Sequence, residues 1–356
     1  MPTGGRGGRG LQLVRSPVPG RKGPRAVSVP GGAVPGGALA ARRHPVGGRP
    51  VTTLSERPAV QGRRLPATIR AYVALTKPRI IELLLITTLP AMMLAVGGLP
   101  SWELLLATMA GGTLAAAAAN VFNCWYDRDI DRLMHRTERR PLATGEITPR
   151  AALVFGLVLT VLSVALLYVT TTPLAAVLAL GAIAYYAVVY TMVLKRHTRH
   201  STLFGGVPGA APVLIGWAAV TGTLAWPAVV FFGVVFCWQL PHFWALAVRF
   251  RDDYARADVP MLPVVASELS VGRQTVVWTW LTVAVSLLLW PVADGYGIGW
   301  IYTAAAAALG LWFVVEAHRL LRRIRSGVET KPMQLFHVSI SYMALLSVAI
   351  IVDVLV

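Results

Sequence analysis

The chain reads as an all-α integral membrane protein: a bundle of nine transmembrane helices with a cytoplasmic N-terminus and the C-terminus outside. Three observations predict this. Of its 356 residues, 55% are hydrophobic and only 14% charged, and the mean hydropathy of +0.61 lies far from that of a soluble domain. From Ile80 onward, mainly apolar runs of about 17 to 25 residues recur, each long enough to cross a hydrocarbon core. With nine such runs, all 33 Lys and Arg residues fall before the first or in alternate connections, on the side that holds the N-terminus.

Residues 1–65 are rich in Gly, Pro, Ala and Arg, with Glu56 as the sole acid, and read as a disordered basic tail. They lack the apolar core and cleavage site of a secretory signal, and their Gly/Pro density disfavours the amphipathic helix of an organellar leader. A non-specific tail, or a start codon assigned too early, fits better. Residues 66–356 form the membrane domain, with spans expected at 80–98, 102–124, 150–169, 173–193, 204–221, 227–248, 274–293, 299–318 and 335–355. The fifth is interrupted by Gly205, Gly206, Pro208, Gly209, Pro212 and Gly216, and is expected to be a broken helix facing protein or a polar cavity. Cys124 and Cys237 lie in apolar surroundings and support neither a disulfide framework nor a zinc site. The cations behind the net charge of +17 lie in the N-terminal tail and in loops on its side of the membrane, so much of that charge speaks for orientation and contact with anionic membrane lipids, not for nucleic acid.

The chain is organised around 120–141, NVFNCWYDRDIDRLMHRTERRP, where a long apolar helix ends in amides, carboxylates and guanidinium groups. Asn123, Asp127 and Asp131 are spaced by four, which stacks them on one helical face. Without a counter-ion, the two carboxylates repel by a few tenths of a kcal/mol in water and by more near lipid. A hard divalent cation shared with phosphate oxygens answers that repulsion, so Mg²⁺ with a diphosphate is the concrete expectation. The plainer reading pairs Asp127, Asp129 and Asp131 with Arg128, Arg132 and Arg136 on a solvated helix end.

A second acidic and basic mixture, FRDDYARADVPMLPVV at 250–265, ends the sixth span and carries Asp252, Asp253 and Asp258. Between the two lie Tyr190, Thr191, Lys195, Arg196, His197 and Arg199. Carboxylates for Mg²⁺ and cations for the remaining phosphate charge suit a polyphosphate whose other end is a long hydrocarbon. Trp125, Tyr126, Tyr186, Trp238, Phe243 and Trp244 offer faces to a carbocation, or simply populate the membrane interface. Lys77, before Pro78, either faces the anion or anchors the first span. His242, in WQLPHFW, either meets a second substrate, as an iron-porphyrin ligand for example, or packs as a hydrogen-bonded intrabilayer histidine.

LTKPRI at 75–80, the 120–147 stretch, YTMVLKRHT at 190–198, GGVPGAAPVLIGWAAVTG at 205–222 and the 238–265 stretch together resemble the protoheme IX farnesyltransferase, or heme O synthase, branch of the UbiA-type intramembrane prenyltransferases. The similarity covers about 70 to 355. It implies farnesyl transfer from farnesyl diphosphate to a vinyl group of heme b, with water addition, at a site opening to the cytoplasm of a cell inner (plasma) membrane. Under it Asn123, Asp127 and Asp131 match the first metal-diphosphate motif, and Asp252 with Asp253 the second. Lys195 and Arg196 match a basic pair beside the diphosphate, and His242 the branch histidine. Asn123, Asp127, Asp131, Lys195 and Asp253 are thus the catalytic set. Lys77, Arg128, Arg136, Tyr190, Arg196, His242 and Asp252 are binding groups, and the metal set is Asn123, Asp127, Asp131, Asp252 and Asp253.

The family product feeds terminal-oxidase cofactors, which implies contacts with a heme A synthase or oxidase assembly. Two positions depart from the pattern. Ser201 stands near an expected Asn, where it would reach substrate through a water, and Asp258 stands where a small residue, often Gly, is usual, extending the acidic cluster or pairing with Arg256. The competing readings are a prenyltransferase for a quinone precursor or another aromatic acceptor, and a polytopic transporter.

Overall fold

The computed structural model describes residues 65–356; the basic segment 1–64, with its expected disorder, lies outside the described residues. The elements are helical throughout. They are α1 (Leu65–Thr76), α2 (Pro78–Val96), α3 (Trp102–Tyr126), α4 (Arg128–Asp131), α5 (Pro149–Thr170), α6 (Pro173–Ala184) continuing as a π-helix (Tyr185–Leu194), and α7 (Ser201–Thr221). After these come α8 (Trp226–Arg249), α9 (Arg251–Arg256), α10 (Leu262–Val265), α11 (Glu268–Val292), α12 (Trp300–Arg325) and α13 (Pro332–Leu355).

Local chemistry accounts for the helix starts. Ser101, Thr148, Thr172 and Ser267 accept hydrogen bonds from the backbone N–H three residues on, and Pro occupies the first turn of α2, α5, α6, α8 and α13. Gly97 and Gly222 end α2 and α7 in the left-handed conformation.

Among the described residues, eight helices are long and apolar enough to cross a membrane: α3, α5, α6 with its π-helical extension, α7, α8, α11, α12 and α13. In α2 the apolar described stretch is shorter, Leu85–Val96. Val154, Leu157, Val161, Leu162 and Val169 on α5 all face outward, as lipid-covered side chains do. The protein is an all-α, multi-pass integral membrane protein. One large buried cluster gathers side chains of α2, α7, α8, α11, α12 and α13 around Trp217, Phe231, Tyr302, Phe313 and Tyr342; a second gathers α1, α2, α3, α5, α6 and α7. The helices α2 and α7 belong to both and pack on each other along the seam.

Two expectations are corrected. The helix α7 is continuous from Ser201 to Thr221, with Pro208 and Pro212 inside it. Its glycines bring neighbours close instead of breaking the helix, as small residues do in membrane interfaces. A Cβ on Gly205 would stand 2.6 Å from the Tyr190 ring, and one on Gly216 2.9 Å from the Thr88 carbonyl. Second, the span from Pro173 does not stay α-helical. From Tyr185 its hydrogen bonds widen to i→i+5, ending with Lys195 N–H on Tyr190 C=O at 2.9 Å.

Candidate active site

Three chain segments meet where α3, the π-helix and α8 end. The N-terminal side of α4 holds the first acids. Asp127 caps α3, yet the i→i+4 pattern runs through it, with Asp127 N–H on Asn123 C=O at 2.9 Å and Asp131 N–H on Asp127 C=O at 2.8 Å. The expected stripe therefore exists, and all three side chains are buried. Asn123 Nδ2 donates to Asp127 Oδ2 at 2.8 Å and to Thr191 Oγ1 at 3.3 Å, while its Oδ1 accepts from Lys77 Nζ at 2.7 Å. Lys77 itself is held by a left-handed backbone, φ 53°, immediately before Pro78. Burial pushes its amine down to about 8.

The π-helix supplies the opposing cation. The wider turn brings Thr191 and Lys195 to the stripe, where Lys195 Nζ bonds Asp127 Oδ2 with both groups buried. The other oxygen, Asp127 Oδ1, is buried without a hydrogen-bond partner and lies 3.6 Å from Arg196 Nη2. Arg196 is chiefly engaged elsewhere, as a fork on Asp129 with both contacts at 2.7 Å, and its guanidinium lies 4.7 Å from the Tyr126 ring centre. That fork holds the Asp129 carboxyl down at about 2. Asp131 is matched by Arg140 Nη1, at 2.9 and 2.8 Å from its two oxygens.

The second acidic segment packs directly on the first. The backbone N–H of Arg136 donates to Asp253 Oδ2 at 3.1 Å, and Arg256 pairs with Asp253 Oδ1. The Arg136 guanidinium lies over Phe250 and Tyr254, 5.3 and 5.9 Å from the ring centres. Beneath these contacts Ile130, Met134, Ala247, Ala257, Val259 and Met261 form one buried apolar cluster. The Tyr190 ring lies 5.2 Å from that of Tyr186 on the π-helix. The two acidic stretches thus share one end of the bundle.

Several expected groups are not drawn in. Asp252 is exposed, without an ion pair to any described residue. Arg128 turns back on the end of α3, donating to Trp125 C=O at 2.7 Å over the indole ring. Ser201 is buried with its hydroxyl 3.8 Å from Met261 Sδ, so its setting is a thioether and not a polar pocket. Asp258 pairs with neither Arg256 nor any other described cation; its backbone is left-handed at φ 51°, which is why Gly suits the position and why Asp, among the residues that tolerate that region, is accepted. His242 lies on α8 about two turns before Arg249, buried between the rings of Trp238 and Phe336, with Nδ1 2.8 Å from Ser339 Oγ. Trp238 and Trp244 are buried, whereas Phe243 faces outward. Arg140, Thr191 and Tyr254 complete the site although their position in the sequence assigns them no role. Arg140 lies nine residues from its partner, a spacing that announces nothing, and Thr191 reaches Asn123 only through the π-turn.

A divalent cation fits the Asp127 end of this arrangement. The oxygen left without a donor is a carboxylate, and Asn123, one turn back on the same stripe, donates its amide N–H to the other carboxylate oxygen and keeps its own Oδ1 on Lys77. Among the described residues no three His, Cys, Asp or Glu groups converge as a metal cage. Mg²⁺ needs none: it keeps several waters and commonly takes one or two carboxylates plus substrate phosphates.

Residues 84–340 match the model of the UbiA prenyltransferase family. Among curated proteins the chain is 57% identical over 299 residues to a protoheme IX farnesyltransferase of Salinispora tropica, covering 84% of this chain and 93% of that one. It is 52% identical over 304 residues to one of Paenarthrobacter aurescens, covering 85% and 94%. The fold is similar to a solved structure of digeranylgeranylglyceryl phosphate synthase, with a TM-score of 0.66 at 18% identity over 81% of this chain and 99% of that one. It is also similar to a UbiA homolog from Archaeoglobus fulgidus bound to GPP and Mg²⁺, with a TM-score of 0.53 at 17% identity over 79% and 99%. With its family match spanning most of the described chain and its relatives more than half identical over the aligned residues, the chain belongs to the UbiA prenyltransferase family, in the protoheme IX farnesyltransferase branch.

Proposed function

We infer that the chain transfers the farnesyl group of farnesyl diphosphate to a vinyl group of heme b, with addition of water, giving heme O and diphosphate. It is a Mg²⁺-dependent prenyltransferase. Relatives that are 57% and 52% identical to it over the aligned residues carry that activity in their names, and the observation in the molecule that supports it is the open oxygen of buried Asp127 among cations. In the reaction the C1–O bond of the farnesyl chain breaks, a bond from C1 to the vinyl carbon forms, and water adds to the adjacent carbon with loss of a proton.

The residues divide that work. Asn123 and Asp127 are the residues that would hold Mg²⁺ beside the diphosphate, and Asp131 and Asp253 complete the acidic rim, each steadied by its own arginine. When bound, the metal neutralises charge building on the departing diphosphate. Lys195, Lys77 and Arg196 stand at Asp127 and Asn123 and turn to the diphosphate as it arrives, since a phosphate oxygen offers them a denser charge than the acids they now share. Tyr186 and Tyr190, whose rings lie 5.2 Å apart on the π-helix, are the aromatic faces that would meet a developing carbocation. Arg136, between the two acidic segments, ties their geometry to each other. Arg128 and exposed Asp252 are outlying members of this binding set. Heme b meets His242, whose depth of about two helical turns below the rim suits a macrocycle with an apolar body and a wet edge.

Nine crossings, with α2 as the first, put every Lys and Arg on one side, so the active end faces the cytoplasm, the C-terminus lies outside, and the protein sits in the inner membrane. Residues 66–356 make up the prenyltransferase domain, and its product passes to heme A synthase or oxidase assembly.

Detergent-purified full chain incubated with Mg²⁺, heme b and farnesyl diphosphate, followed by product mass, tests the assignment. Heme b plus a farnesyl group and water supports it; reaction only with another aromatic acceptor, or ligand movement without a covalent product, overturns it.

A further inference from the structure

We propose that Ser339 is a positioning residue that fixes the tautomer of His242, holding the Nε2 lone pair ready for the iron of the acceptor. This rests on the reading of His242 as the residue that meets heme b. The hydroxyl of Ser339 lies 2.6 Å from the Phe336 carbonyl oxygen and 2.8 Å from His242 Nδ1. A carbonyl only accepts, and a serine hydroxyl has one proton to give. With that proton on Phe336 C=O, Ser339 Oγ accepts from His242, so Nδ1 carries the imidazole proton and Nε2 carries the free pair. Nε2 has no hydrogen-bond partner among the described residues.

The ring is also locked in plane. Trp238 and Phe336 lie on its two faces at 4.6 and 4.5 Å between ring centres, tilted only 21° and 22°, and Phe243 meets its edge. An imidazole that donates one N–H to a fixed acceptor and leaves the other nitrogen open is the usual arrangement of a metal-bound histidine, where the outer partner sets tautomer and basicity. Here the outer partner is a hydroxyl backed by a helix carbonyl. The same stretch of α13 is clasped independently, because Trp238 Nε1 donates to the backbone carbonyl of Ser339 at 2.6 Å. Removing the Ser339 hydroxyl therefore leaves the join between α8 and α13 in place.

The test is a spectroscopic titration of ferric heme b into the detergent-purified full chain, comparing the parent with Ser339→Ala, Ser339→Thr and His242→Ala. Binding of farnesyl diphosphate with Mg²⁺ serves as the control for an intact fold. The expected result is a histidine-ligated spectrum in the parent, lost in His242→Ala. Ser339→Ala weakens heme binding by about 10–100-fold and reduces the ligated fraction, while Ser339→Thr, which keeps the hydroxyl, retains both. Ser339→Ala titrating like the parent while His242→Ala loses the signature overturns the role of Ser339 alone. An unchanged spectrum in His242→Ala overturns the reading of His242 on which it rests.

Discussion

Lys195 and Asp127 form a buried ion pair that engages only one of the two carboxylate oxygens, leaving Asp127 Oδ1 inside the protein with no hydrogen bond. A buried charge half-satisfied in this way is costly to keep, and it is where a cation with phosphate oxygens gains most. Replacing Asp127 by Asn is expected to lower heme O formation on the order of 10²–10³-fold, comparable with removal of one preorganised electrostatic group, while membrane insertion is retained. The check is turnover by product mass across a Mg²⁺ series. Parent-like turnover at limiting Mg²⁺ removes Asp127 from the metal set.

Lys77 gives a pH dependence. Its amine is held down at about 8 by burial, so it is charged below that pH and neutral above it. Affinity of the free enzyme for diphosphate is expected to fall as pH rises through about 8, the direction in which Lys77 loses its proton. In Lys77→Arg, where the guanidinium stays charged, the fall moves to higher pH. Calorimetric titration of inorganic diphosphate between pH 7 and pH 9.5 reads this directly; identical profiles for both proteins exclude Lys77 from the anion site.

Gly205 tests the packing of α7 on the π-helix. A methyl at this position would lie 2.6 Å from two carbons of the Tyr190 ring, so Gly205→Ala must displace that ring. The expected cost is about 1–3 kcal/mol, seen as a lower melting temperature in detergent, with turnover falling because Tyr190 lines the site. An unchanged melting temperature would mean that Tyr190 moves freely.

Much of this was legible in the sequence, for physical reasons. Hydropathy and the grouping of Lys and Arg report burial in lipid and sidedness, which are properties of whole segments. The spacing of Asn123, Asp127 and Asp131 survives because the i→i+4 ladder continues through the α3 cap. What was not legible depended on local backbone. The glycines of α7 read as breaks, yet membrane helices tolerate Gly and Pro when neighbours close in, as Tyr190 and Thr88 do. The π-turn that brings Thr191 and Lys195 to Asn123 and Asp127 leaves no mark in an apolar run such as YYAVVYTMVL. Asp252 and Asp253 are neighbours in the chain but emerge on different faces of a six-residue helix, so one is buried and the other exposed.

Asp353 supplies a control in the other half of the bundle. From α13 its Oδ2 accepts the backbone N–H groups of Gly299 and of Tyr302, the latter at 3.1 Å, and so caps α12. Asp353→Ala is expected to cost about 1 kcal/mol, the usual worth of such a cap. Heme O formation should stay near the parent level, since Asp353 contacts none of the active-site groups. Melting temperature and turnover measured together separate a loss of stability from a loss of chemistry.

The joint grip of two acidic segments on one metal-bound diphosphate is tested most directly by the gain in farnesyl diphosphate affinity that Mg²⁺ brings, measured in the parent, Asp127→Asn and Asp253→Asn. The expected result is a large Mg²⁺-dependent gain in the parent, abolished by Asp127→Asn and reduced by Asp253→Asn. The same gain in all three proteins contradicts the shared site.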